Sequence, residues 1–181
     1  MKLLLLDKDG TLTTPKSGAK FVQHPEDQEL LPGVIEAIRH YDDTGWNLAI
    51  ASNQGGVAAG HKTLEDAALE MRYCISLLRD GGIQAIEINA YFCPDFEGMK
   101  CGVVKTGCYP FRFRDDHLKV DSYRKPNAGM IQAAIYDLAP FFSELEEALF
   151  VGDRPEDEEA ASNAGVQFMW AEAWRNTGIH N

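Results

Sequence analysis

LLLLDKDGTL, residues 3–12, runs four leucines directly into two carboxylates one residue apart. The leucines read as a buried first strand that ends at Asp7. Side chains at i and i+2 of an extended chain lie on one side, so Asp7 and Asp9 face the same spot. Two acids desolvated together repel each other and are each disfavoured by burial. A strand end that accepts such a pair is arranged around something that offsets the charge.

Outward from this stretch, short β-type runs alternate with helical patterns. Residues 32–41 read as a helix, with Pro32 and Gly33 at its start, Val34, Ile35, Ile38 and Tyr41 on one face, and Gly45 past its end. Residues 47–51 read as a second strand, and 63–79 as a long amphipathic helix closed by Gly81 and Gly82. A third strand falls within 83–92, a helix over 127–138 and a fourth strand over 148–151. A short helix over 156–164 ends at Gly165, and 166–170 read as a fifth strand. This alternation predicts an α/β fold: a doubly wound, Rossmann-like parallel sheet with helices on both faces, formed by residues 1–181 as one domain. Residues 93–123 lack clean periodicity and carry Pro94, Gly98, Gly102, Gly107 and Pro110, which predicts a functional loop or small insert. The connection over 13–31 is also turn-rich. Neither is long enough for a separate domain, so no large cap domain is expected.

The formal net charge of −11 argues against broad electrostatic binding to nucleic acid. The apolar start is too short for a signal peptide or a membrane span. The four cysteines, Cys74, Cys93, Cys101 and Cys108, are expected to be reduced thiols or metal ligands rather than disulfides, and the expected location is the cytoplasm.

Ligands of doubly wound sheets gather beyond the carboxyl ends of the strands, and polar residues cluster there. Asp7 follows the first strand, Ser52 and Asn53 the second, and Gly152 and Asp153 the fourth, while Arg124, Lys125 and Pro126 precede the helix at 127. Each alone reads as a turn or a cap; four at corresponding edges do not. The set resembles the four motifs of the haloacid dehalogenase superfamily of phosphohydrolases: residues 7–11 (DKDGT), Ser52, Lys125 and residues 152–157 (GDRPED). Residues 52–54 (SNQ) and 124–126 (RKP) are similar to the branch holding histidinol-phosphate phosphatases, heptose bisphosphate phosphatases and the polynucleotide 3'-phosphatase domain.

The resemblance implies a Mg²⁺-dependent phosphomonoester hydrolase. Asp7 is then the nucleophile, forming an aspartyl-phosphate, and Asp9 the general acid and base. Ser52 and Lys125 complete the catalytic set, and Gly10, Asn53 and Arg124 are expected to contact substrate. Mg²⁺, a hard ion that takes oxygen ligands, is expected on Asp7, the Asp9 backbone carbonyl and Asp153. Asp157 is expected either to support the metal's waters or Lys125, or to cap a helix N-terminus. A catalytically silent binding module on the same fold is the remaining alternative, against which the intact Asp7, Asp9, Lys125 and Asp153 speak.

Heptose bisphosphate phosphatases carry a zinc loop where Cys93 and Pro94 begin the irregular region. Here Asp95 and Pro110 replace two of its ligands. Cys93, Cys101 and Cys108, with Asp95 or His117, could hold Zn²⁺; unliganded thiols are the favoured reading. Residues 109–114 interleave aromatic and basic side chains, either packing down or gripping substrate. Ala59 stands where relatives carry an arginine. The expected partner is a small phosphorylated metabolite of the sugar or histidinol type. A polynucleotide 3'-phosphate end is the alternative, because Thr13, Thr14, Ser17, Gly18 and Phe21 resemble the flap of that family. No membrane partner is expected, and the oligomeric state is not readable.

Overall fold

A computed structural model describes residues 1–85, 87–114, 118–139 and 144–177. The first strand, β1 (Lys2–Leu6), lies in the interior of a seven-stranded sheet. After it come a two-residue ribbon, β2 (Thr13–Thr14) with β3 (Glu29–Leu30), then α1 (Val34–Asp42), β4 (Asn47–Asn53) and α2 (Leu64–Asp80). The chain continues through β5 (Ile88–Cys93), β6 (Gly102–Val104), β7 (Arg112–Phe113) and α3 (Gly129–Leu138). It closes with β8 (Glu147–Gly152), α4 (Pro155–Ala164), β9 (Gln167–Trp170) and α5 (Ala171–Thr177).

The sheet order is β7-β6-β5-β4-β1-β8-β9. Strands β5, β4, β1, β8 and β9 are parallel. From β1 the chain builds outward through β4 and β5, then returns to add β8 on the other side of β1. That reversal is the topological switch point, and it opens a crevice at the carboxyl end of β1. The leucines alternate between two cores, as the period of a strand demands. Leu4 and Leu6 pack under α1, α2 and α5, while Leu3 and Leu5 pack under α3 and α4. The doubly wound architecture therefore holds, and the described residues form no large cap domain.

One correction concerns the edge. The sheet is mixed, because β6 and β7 pair antiparallel beyond β5. Both come from the irregular region 93–123, where strands of three and two residues are too short to show a period. Gly102 admits β6 there: a Cβ at that position would stand 2.3 Å from the Phe92 ring. The insert is pinned to α3 by Arg114, which reaches the Asp137 carboxylate at 2.6 Å and the Ala133 carbonyl at 3.2 Å. Tyr91 Oη donates to the same carboxylate at 3.0 Å.

Helix ends follow local chemistry. Thr63 caps α2 by accepting from the Asp66 N–H at 3.0 Å, while the Asp66 carboxylate accepts from the Thr63 N–H at 3.0 Å. Helix α4 starts with Pro155 in its first turn and ends at Gly165, whose φ of 69° suits a residue without Cβ. Helix α5 had no counterpart in the sequence reading. Its Trp174 is fully buried against the α1 and α2 core. Among the described residues no helix is long and apolar enough to cross a membrane.

Trp174→Ala empties the largest fully buried side chain. It is expected to cost about 3–5 kcal/mol of stability, read as a lowered urea midpoint at unchanged slope.

Candidate active site

The carboxyl ends of β1, β4 and β8 bring Asp7, Ser52 and Asp153 to one rim of the sheet, and α4 and the loop before α3 add Asp157 and Lys125. Asp7 continues β1, its N–H bonding the Val151 carbonyl of β8 at 2.9 Å. Its carboxylate is buried and meets Lys125 Nζ at 2.5 Å. Lys125 Nζ also meets Asp157 at 2.6 Å and the Ala51 carbonyl at 3.0 Å. An ammonium has three donors, and each of these has a partner, so the charge is held in one place.

Asn53 explains how Lys125 comes to be there. Its side chain accepts from the Lys125 N–H at 3.0 Å and donates to the Lys125 carbonyl at 2.9 Å. Both ends of the Asn53 amide are thus spent on the lysine backbone, which gives this expected substrate contact a positioning task. Asp157 unites the readings left open for it. One oxygen pairs with Lys125, and the other accepts from the Arg154 N–H at 3.1 Å in the first turn of α4. Gly152 allows this approach, since a Cβ there would lie 2.3 Å from that of Asp157.

Asp7, Asp153 and Asp157 each present an oxygen within 4.8 Å of the others. Burial pushes the Asp7 carboxyl up to about 7, against the pull of Lys125 and with the repulsion of Asp157 and Asp9. Asp153 is raised by burial too, Arg154 pulling the other way and Asp157 adding to the rise. Burial works against the charge on Lys125, but Asp7 and Asp157 outweigh it and hold the ammonium above its ordinary range. Three carboxylates with one buried ammonium leave negative charge over. An all-oxygen donor set with surplus charge fits Mg²⁺. Gly10 keeps the space open: its φ is 90°, and a Cβ would stand 2.2 Å from the Asp153 carboxylate.

Asp9 lies in different surroundings. Its carboxylate pairs with Lys8 and accepts from Gln54 Nε2 at 3.0 Å. Burial pushes it up, but Lys8, then Lys62 and Gln54, outweigh that and hold it below the usual carboxylate range. Ser52 is buried, its Oγ accepting from Gln54 Nε2 at 2.9 Å. Arg124 lies over the Phe96 ring, 5.4 Å from its centroid, with Nη1 buried and unpaired by any hydrogen bond.

Two features escaped the sequence. Arg175 of α5 donates to the Gly10 and Thr11 carbonyls at 3.1 and 2.9 Å and so braces the turn after Asp9. A set of buried polar residues, Lys8, Gln28, Gln54 and Glu70, lies beside Asp9. The signal for Lys8 was its place between two acids; for Glu70 it was an acid on the apolar face of α2.

Among the described residues, Cys93, Cys101 and Cys108 do not assemble as a metal site. Among the described residues the sole group of three acids, thiols or imidazoles with ligand atoms in reach of one another is the aspartate set. Cys93 Sγ donates to the Asp95 carbonyl, and the Asp95 carboxylate accepts from the Met99 and Lys100 N–H groups at 2.8 and 3.0 Å. That carboxylate ties the loop to itself. His117, the other fourth ligand considered, lies outside the described residues. Of the aromatic and basic segment, Phe111 packs on the core through Phe92, while Tyr109 is exposed under Arg72.

The family model for polynucleotide kinase 3 phosphatase matches residues 2–174. The chain belongs to that family, within the haloacid dehalogenase superfamily. It is 34% identical over 163 residues to D-glycero-D-manno-heptose-1,7-bisphosphate 7-phosphatase of Thermosynechococcus vestitus, covering 90% of this chain and 74% of that one. It is 30% identical over 166 residues to D-glycero-alpha-D-manno-heptose-1,7-bisphosphate 7-phosphatase of Campylobacter jejuni, covering 91% and 78%. The crystal structure of D,D-heptose 1,7-bisphosphate phosphatase from B. bronchiseptica, complexed with magnesium and phosphate, superposes with a TM-score of 0.65. It is 25% identical, covering 93% of this chain and 79% of that one. This family member is a phosphatase, and its aspartate set is the Mg²⁺ site.

Gly10→Ala places a methyl group against Asp153. It is expected to weaken Mg²⁺ binding about 10- to 100-fold, as loss of a ligand's support does, measured by isothermal titration of the purified protein.

Proposed function

We propose that the protein hydrolyses a small phosphorylated sugar of the heptose bisphosphate type through an aspartyl-phosphate on Asp7. The observation that carries this is the Asp7 carboxylate itself, paired at 2.5 Å with Lys125 and grouped with Asp153 and Asp157 at a rigid strand end. An anionic nucleophile approaches a phosphate monoester only where cations screen the two. Asp7, the Asp9 carbonyl and Asp153 would hold Mg²⁺, which would supply that screening and polarise the phosphoryl oxygens.

The residues divide the remaining work. Asp7 attacks phosphorus as the bond from phosphorus to the alcohol oxygen breaks, and Asp9 gives its proton to that departing oxygen. Asp9, now a carboxylate, takes a proton from water as the water oxygen attacks the aspartyl-phosphate. The Asp7–phosphorus bond then breaks, releasing inorganic phosphate and restoring both acids. Ser52 Oγ binds a phosphoryl oxygen, Lys125 screens the charge of the phosphate and of Asp7 from where it is held, the Gly10 turn leaves room for the group, and Asn53 keeps Lys125 in place. Arg124, with an unspent buried N–H beside Phe96, contacts the part of the substrate beyond the reacting phosphate.

A polynucleotide 3'-phosphate is the second reading, supported by the family match over residues 2–174 and by the absence of a large cap. The acidic chain, at −11, favours the metabolite.

With D-glycero-D-manno-heptose 1,7-bisphosphate, a panel of sugar phosphates and a 3'-phosphorylated oligonucleotide, kcat/KM is expected to be highest on a sugar phosphate. A preference for the oligonucleotide by orders of magnitude would replace the first reading with the second. Asp7→Asn is expected to remove turnover on every substrate, and EDTA to remove it reversibly on Mg²⁺ return. Full activity in Asp7→Asn would refute the covalent route.

A further inference from the structure

Several polar side chains outside the phosphate site converge on Asp9. Lys8 is fully buried, pairs with Asp9 Oδ1, donates to Gln28 Oε1 at 3.0 Å and stands 3.9 Å from Glu70 Oε2. Lys62 Nζ reaches Glu70 Oε1 at 2.5 Å and Gln54 Oε1 at 3.1 Å. Gln54 Nε2 in turn donates to Asp9 Oδ2 at 3.0 Å. Each oxygen of Asp9 is therefore held by a chain of contacts, and both chains lead back to Glu70.

Glu70 is a costly residue where it stands. It lies on the face of α2 that otherwise buries Ala67, Ala68, Met71, Cys74 and Leu78. Its side chain is 2% exposed, and Oε2 has no hydrogen-bond partner. A buried carboxylate in an apolar helix face is unfavourable unless its charge is answered, and here two lysines answer it.

We propose that Glu70 is a positioning residue for proton transfer at Asp9, acting through Lys8 on one carboxylate oxygen and through Lys62 and Gln54 on the other. The second arm has a direction built into it. An ammonium only donates, so Lys62 requires the carbonyl end of the Gln54 amide. That leaves the NH₂ end facing Asp9 and Ser52, where acceptors await it. Without Glu70, Lys62 has no buried anchor and the Gln54 amide is free to turn its oxygen toward Asp9, which repels the carboxylate. Lys8 meanwhile keeps Asp9 as its sole carboxylate and draws it away from the leaving oxygen.

The inference rests on the assignment of Asp9 as acid and base above, and leaving-group dependence tests both separately. kcat/KM reports the steps up to departure of the leaving group. An alkyl phosphate needs a proton on the departing oxygen, whereas 4-nitrophenyl phosphate releases a stable anion without one. Asp9→Asn is expected to lose far more on a sugar phosphate than on 4-nitrophenyl phosphate. Glu70→Gln is expected to lose at least ~10-fold on the sugar phosphate and no more than ~3-fold on the aryl ester, a part of the ~100-fold or more general acid catalysis supplies. Lys62→Met, at a position whose side chain is 17% exposed, gives the same pattern and decides the matter if Glu70→Gln does not fold. Equal losses on the two substrates, or none, in both variants overturn the role of Glu70 while Asp9→Asn still discriminates. If Asp9→Asn itself shows no discrimination, the Asp9 assignment fails and the Glu70 inference falls with it.

Discussion

A single ammonium, Lys125 Nζ, stands between carboxylates that would otherwise repel one another. It reaches Asp7 at the end of β1, Asp157 in the first turn of α4 and the Ala51 carbonyl on β4. Those partners come from segments far apart in the chain, so the contact forms only when the central strands are in register and α4 is seated. Asn53 adds a fourth constraint by clamping the lysine backbone. Removing one member of such a buried set leaves the others with unanswered charge, which is why buried pairs are costly to break even when they add little net stability.

The same arithmetic makes the place a cation site. Lys125 answers about one of the three acidic charges around it; burial first, and then the repulsion of Asp157, raises Asp7 and Asp153. Filling the crevice with apolar atoms would have been cheaper for the fold. The glycines at 10 and 152 hold it open instead, each with an acid where a Cβ would fall. Surplus carboxylate charge beside open space suits a divalent ion and an anionic ligand.

The parallel core and the phosphate site were legible because both follow from short-range rules. The run of leucines, the Pro-Gly helix start, and polar residues at strand ends each declare themselves within a few residues. What stayed hidden depends on partners remote in sequence. Strands β6 and β7 are three and two residues long and exist because β5 offers an edge for them. Helix α5 matters through Trp174 under α1 and Arg175 under the Gly10 turn, contacts that no local pattern announces. Asp95 looked like a ligand by its place beside Cys93, yet its carboxylate serves backbone N–H groups a few residues on, as aspartates in turns commonly do.

Asp7 and Asp9 began as one electrostatic problem and end as two. Their side chains leave the same strand end, but the charges that answer them come from opposite directions. Burial raises the Asp7 carboxyl despite Lys125, which it shares with Asp157. Asp9 has Lys8 in contact and Lys62 one amide away, so its carboxyl is lowered. Both lysines on the Asp9 side need a buried counter-charge of their own, and Glu70 is the acid α2 places there. Taken alone these shifts run against the two roles, since a raised carboxyl suits the acid and a lowered one the nucleophile; a divalent ion beside Asp7 would lower it, and a bound phosphate beside Asp9 would raise it. In this fold the two surroundings are built by two lysine networks: one centred on Lys125 at the cation site, the other, through Lys8 and Lys62, folded into the helix behind.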